Sequence, residues 1–117
     1  MISAPALAHR PVTQGLPVGI GQTFRVNGLK VTPIRVIEDS RCPMNARCIW
    51  AGTVRITARI REGHQLQTRE LELGKPFMIR GRALTLSDVA PPRVAGGPVR
   101  KLRYRFAFTF EPPLPIT

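Results

Sequence analysis

Residues 53–73 read TVRITARIREGHQLQTRELEL, and the stretch 53–61 alternates without a break. Val54, Ile56, Ala58 and Ile60 fall on one side; Thr53, Arg55, Thr57, Arg59 and Arg61 fall on the other. A period of two marks a strand with one dry face and one wet face. The segment EGHQ then reverses the chain. A four-residue loop there sets Arg55 against Glu72, Thr57 against Glu70, Val54 against Leu73 and Ile56 against Leu71. Opposite charges meet on the wet face and aliphatic side chains on the dry face, so both faces favour the same register. Ile60 meets Gln67 near the tip, which makes that end the more exposed one.

Upstream, QTFRVNGLKV carries Asn27-Gly28 between two alternating segments, the signal of a two-residue type I′ hairpin. It pairs Val26 with Leu29 and Phe24 with Val31. The inward phase then slips from odd positions to Ile34 and Val36, with Pro33 at the slip. A β-bulge there absorbs one residue and keeps both pairs inward. Downstream, KPFMIRG and RALTLSDV read as two short strands divided near Gly81, and APPRVAGGP reads as a loop. The last strand is RKLRYRFAFTF, with Leu102, Tyr104, Phe106, Phe108 and Phe110 inward and Lys101, Arg103 and Arg105 outward. EPPLPIT ends the sheet, because proline has no N–H for the ladder.

These strands predict an all-β fold: an antiparallel β-sandwich of immunoglobulin-like kind, or a small barrel, of about six to eight strands with one disulfide. The 117 residues suffice for one domain with one core, and a hydrophobic share of 43% suits a packed globule. No apolar run is long enough to span a bilayer. Residues 21–111 form the expected β domain, 9–20 an extended arm and 112–117 a Pro-rich tail. Residues 1–8 contain Ala6-Leu7-Ala8, an A-x-A pattern, and read as the remnant of a signal peptide. A flexible Ala/Pro-rich start is the plainer alternative. Two cysteines suit an oxidising compartment, so the periplasm or the extracellular space is expected.

The segment EDSRCPMNARCIWAG, residues 38–52, interrupts the strands. In a secreted domain Cys42 and Cys48 bond to each other. Closing so short a loop stabilises by about 2.5 kcal/mol in the chain-entropy model. Pro43 stiffens it. Asp39 and Ser40 can accept backbone hydrogen bonds at its start. Trp50 is expected to pack on the disulfide or the sheet edge, and Gly52 frees the backbone to enter the next strand. The exposed residues Pro43, Met44, Asn45, Ala46 and Arg47 form the candidate contact for a protein partner.

The same segment resembles the signature of a family of small, secreted or lipoprotein-type bacterial proteins of uncharacterised function: Asp-Ser-Arg-Cys-Pro, four residues, Cys, one residue, Trp-Ala-Gly. Asp39, Ser40, Arg41, Cys42, Pro43, Cys48, Trp50, Ala51 and Gly52 match. LTLSDVAPP and YRFAFTF are similar to that family's later strands, so the resemblance spans roughly residues 22–110. It implies export and a β fold, and it implies no particular reaction.

Catalytic and cofactor chemistry finds little purchase. Two cysteines with His9 and His64, on an arm and a hairpin tip, do not make a zinc set. A redox pair usually has C-x-x-C spacing, although Arg41 and Arg47 could lower a thiol pKa. Ser40 beside Asp39 lacks a histidine, G-x-S-x-G is absent, and Glu38 and Asp88 have no reason to pair. No phosphate-binding glycine loop is present. No cofactor, no metal and no enzyme activity are therefore expected.

The charge supplies a second hypothesis. Eighteen basic against seven acidic residues give a formal +11. Arg55, Arg59 and Arg61 on one strand and Lys101, Arg103 and Arg105 on another would merge into one basic face if the strands were neighbours. Such a face would bind an anionic polymer or envelope lipid. Fifteen arginines against three lysines, in a chain rich in Ala, Gly and Pro, also fit GC-rich codon usage. A third expectation, protease inhibition through Arg47, rests on the stapled loop alone.

Overall fold

The computed structural model describes residues 13–14, 16–26, 28–94 and 97–111. The expected signal remnant (1–8), the tail (112–117), His9 and Asn27 lie outside these residues. Among the described residues eight strands form two four-stranded antiparallel sheets: β1 (Thr13–Gln14), β6 (Phe77–Ile79), β7 (Arg82–Ala90) and β8 (Arg105–Glu111) in the order β1-β8-β7-β6, and β2 (Phe24–Val26), β3 (Leu29–Asp39), β4 (Val54–Glu62) and β5 (Gln65–Glu72) in the order β2-β3-β4-β5. Neither sheet closes on itself among the described residues, so the fold is an open β-sandwich and not a barrel. The arm adds β1 at the edge of β8 and an isolated bridge from Val18 to Phe106.

Local turns explain the meanders. Arg55↔Glu72, Ile56↔Leu71 and Thr57↔Glu70 are the expected partners. The strands continue to Glu62 and Gln65, so only Gly63-His64 turn. Gly63 has φ +60° and His64 has no positive φ, as a type II′ turn requires. Phe24↔Val31 and Val26↔Leu29 also pair as expected. Between β6 and β7 both turn residues, Arg80 and Gly81, have positive φ, the type I′ arrangement.

The core takes the inward residues of both sheets, with Phe24 of β2 against Phe108 of β8 at 5.4 Å between ring centres. Phe106 and Phe108 are fully buried. Strand β3 carries the expected register shift between Pro33 and Arg35 and a second between Val36 and Glu38. The first buries Pro33 and Val31 and leaves Ile34 only half-buried, so the inward residue at the slip is the proline. The second shift matters more. Val36 sits opposite Ile56, Ile37 is the extra residue, and Asp39 then falls opposite the buried Val54. The bulge thereby turns a carboxylate toward the interior at one end of the sandwich.

Two expectations about the last strand fail. Lys101–Arg103 form a short 3-10 turn, and Leu102 is 80% exposed. Strand β7 pairs with β8 only as far as Ala90↔Arg105, and Pro91-Pro92 follow. Pro91 and Pro92 have no N–H to extend the ladder, so residues 101–104 have no strand partner, and alternation alone does not make them strand. Arg105 is thus the only member of the basic triad in β8. Strands β4 and β8 lie in different sheets, and their outward faces point away from each other. The two basic stripes do not merge.

Candidate functional site

The loop between β3 and β4 is held by an ionic and hydrogen-bonded base. Arg41 grips the Asp39 carboxylate with Nε (2.9 Å) and Nη2 (2.8 Å), and its Nη1 donates to the Val89 carbonyl at 2.9 Å. The Tyr104 hydroxyl donates to Asp39 Oδ2 at 2.8 Å. One carboxylate therefore joins β3, the loop and the chain entering β8, while Arg41 ties the loop to β7. The Arg41 and Asp39 side chains are only 15% and 9% exposed. Such fork-on-carboxylate pairs are the strong form of charge-assisted bonding.

The electrostatics follow. Burial is the largest influence on Asp39 and opposes its charge, but the bonds from Arg41 and Tyr104 together outweigh it and hold the carboxyl below its ordinary value. Burial, then the hydrogen bond and charge of Asp39, push the Tyr104 phenol up to about 12. The Asp39 carboxylate holds Arg41 above its ordinary value.

Ser40 serves the second layer. Its N–H donates to the Thr53 carbonyl at 2.8 Å, and its Oγ accepts from the Thr53 N–H at 3.0 Å while donating to Glu38 Oε2 at 2.8 Å. Glu38 and Glu70 both bind Arg55, at 2.9 and 2.8 Å. Gly52 has φ +73°, and a Cβ there would overlap the Ser40 carbonyl oxygen. The position needs glycine for both reasons. Arg93 completes the clamp: its Nη1 donates to the Arg41 carbonyl at 2.9 Å, and its own carbonyl accepts from the Met44 N–H at 2.9 Å.

On this base stands the staple. Cys42 and Cys48 are disulfide-bonded with Cα atoms 5.8 Å apart. The Pro43 carbonyl accepts from the Ala46 N–H, and Cys42 N–H donates to the Ala51 carbonyl. Met44, Asn45 and Arg47 are exposed, Met44 at 72%. The expected packing of Trp50 is wrong: Trp50 is 79% exposed and its neighbour Ile49 is 90% exposed. The buried side chain at the base of the loop is Arg41, with three acceptor atoms for its guanidinium, and the indole lies in water.

The sequence reading thus found the staple and the structural residues Asp39, Ser40, Arg41 and Gly52, and of the loop tip the structure shows the exposure alone. It missed Ile49, although an isoleucine in a loop with no strand partner was a usable signal. It treated Tyr104 as core alone and overlooked Arg93, which nothing in APPRVAGGP distinguishes. Of the basic stripes, Arg55 is neutralised in the Glu38–Glu70 network, whereas Arg59 and Arg61 are exposed on the same sheet. Lys101 and Arg103 are exposed in the 3-10 turn, and Arg105 Nη1 donates to the carbonyls of Leu102 and Tyr104.

Among the described residues no group of three or more His, Cys, Asp or Glu converges as a metal site would require. Nor is any helix among them long and apolar enough to cross a membrane. A cleft of about 430 Å³ adjoins the clamp, with Asp39, Tyr104, Arg35 and Lys101 in its walls. The Asp39 carboxylate is turned to its own partners there and offers no free base. No protein-family model, no curated protein and no solved structure matches this chain.

Proposed function

We propose that this chain is an exported, non-enzymatic β domain that binds another protein through the Cys42–Cys48 loop, in the periplasm or outside the cell, as a member of the small family its motif resembles. The exposure of Met44 inside the disulfide-closed loop and of Ile49 and Trp50 directly after it carries this reading. A large apolar side chain in water is ordinary when single; three within residues 44–50, including the only tryptophan, are not. Tryptophan, methionine and arginine are also the residues enriched at interface centres. The clamp supports the reading energetically. A loop fixed at both ends loses little entropy on docking, so more of the contact energy appears as affinity. Arg47 would be complementary to an acidic rim around the partner's apolar groove.

The test compares wild type with Ile49→Ser/Trp50→Ser and with Met44→Ser/Arg47→Ser as baits in envelope extract at high salt. A single protein retained saturably by wild type and lost with both variants, at unchanged melting temperature, is the expected result. Capture that survives both variants removes the loop from the interface.

A further inference from the structure

The outer face of the β2–β5 sheet holds a second feature, independent of the loop. Registers Arg25↔Lys30 and Lys30↔Arg61 set three cations side by side across β2, β3 and β4. Buried neighbours on each strand (Phe24, Val26, Leu29, Val31, Ile60) force all three side chains outward. The next row contains Thr32↔Arg59 and Arg59↔Thr68, and Thr23 joins it through a hydroxyl–hydroxyl bond to Thr32 of 2.8 Å. Thr23, Lys30, Thr32, Arg59, Arg61 and Leu66 line a depression of about 210 Å³.

Like charges directly opposite on adjacent strands destabilise a sheet. Here there are two such pairs in succession, and no carboxylate among the described residues relieves them. Among the described residues, none of Arg25, Lys30, Arg59 and Arg61 lies within ion-pair distance of a carboxylate; Glu38, Asp39, Glu62, Glu70 and Glu72 pair instead with Arg41, Arg55, Lys75 and Arg80. An arrangement that costs stability in the free protein is offset when an anion bridges the cations.

We propose that this face is a binding site for an acidic polysaccharide, a sugar chain bearing sulfate, phosphate or carboxylate groups. Cations spaced by about 5 Å across strands and about 7 Å along β4 can meet several acid groups of one chain. The threonine hydroxyls between them suit the sugar hydroxyls. The face carries no aromatic side chain on which a base could stack, which disfavours single-stranded nucleic acid. Leu66 is its only large exposed apolar residue, too little to wedge into a bilayer. The site lies about 20 Å along β4 from the stapled loop, so the two ligands need not compete.

Calorimetric titration with a heparin-derived octasaccharide, at low and high salt, tests the assignment. Lys30→Gln/Arg59→Gln/Arg61→Gln removes three charges from the site; Arg100→Gln/Lys101→Gln/Arg103→Gln removes three exposed charges elsewhere. We expect the first variant to bind at least about tenfold more weakly with a shallower salt dependence, and the second to stay within about twofold of wild type. The first variant should melt no lower than wild type, because like-charge pairs are relieved, and the octasaccharide should raise the melting temperature of wild type and the second variant only. Equal losses in both variants would reduce the effect to net charge. Unchanged binding in the first would place the ligand elsewhere. Tighter binding of duplex DNA or of anionic vesicles than of the octasaccharide, at matched charge, would overturn the choice of a sugar.

Discussion

The Asp39–Arg41–Tyr104 cluster should behave as one energetic unit, and a double-mutant cycle measures it. Asp39→Ala removes the acceptor of four bonds: Arg41 Nε, Nη2 and backbone N–H, and the Tyr104 hydroxyl. It leaves a guanidinium whose side chain is 15% exposed with one carbonyl acceptor, Val89. Breaking a fully buried pair from one side costs about 3–5 kcal/mol, and residual solvent contact brings the expectation to about 3 kcal/mol. Arg41→Ala should cost about the same, because Asp39 loses its only charged partner and keeps just the Tyr104 hydroxyl and the backbone N–H of residue 41. The double variant removes both charges together, so it should cost about 4 kcal/mol where simple addition gives about 6, a coupling of about 2 kcal/mol. For a chain of this size each single variant should melt about 10–15 °C lower. Chemical denaturation of the four proteins at neutral pH supplies the energies. Additivity within about 0.5 kcal/mol would show that the residues act independently, and the account of the clamp would be wrong.

Three further outcomes follow from the same geometry. Gly52→Ala combines a left-handed backbone with overlap of the Ser40 carbonyl and should destabilise by about 3 kcal/mol, read from the denaturation midpoint; a loss under about 1 kcal/mol would mean that the β3–β4 connection yields easily. Cys42→Ser/Cys48→Ser should cost about 2 kcal/mol, with far-UV circular dichroism unchanged because both sheets are built without the loop; loss of the β signal would contradict that. The phenol pKa of Tyr104 is raised from 10.0 to about 12, so the folded state binds the extra proton, and the stability it contributes is full below pH 10 and lost as pH rises towards 12. Tyr104→Phe should flatten that part of the stability profile, and an unaltered slope would remove Tyr104 as its source.

Much of the fold was legible because its signals are local. The β4–β5 register follows from alternation and from charge pairs a few residues apart, and Gly28 and Gly81 announce their hairpins. The bulge at Pro33 shows as a slip in phase. The bulge at Ile37 leaves no such mark, yet it is what turns Asp39 inward. Lys101–Arg103 mislead for a related reason: alternation describes a side-chain pattern, while a strand also needs a partner, and that partner ends at Pro91.

What the sequence determined by itself was therefore a set of hairpins, a disulfide-closed loop and a strongly basic composition, all properties of neighbouring residues. Tertiary structure decided which hairpin joins which sheet. That assignment sends the stripes of β4 and β8 to opposite sides and aligns Arg25 and Lys30 with Arg61. It also buries Arg41 between Asp39 and the Val89 carbonyl and leaves Trp50 in water. Those outcomes depend on contacts between residues tens of positions apart, where competition for one volume and for a few buried acceptors, rather than any local preference, settles which side chain goes inside.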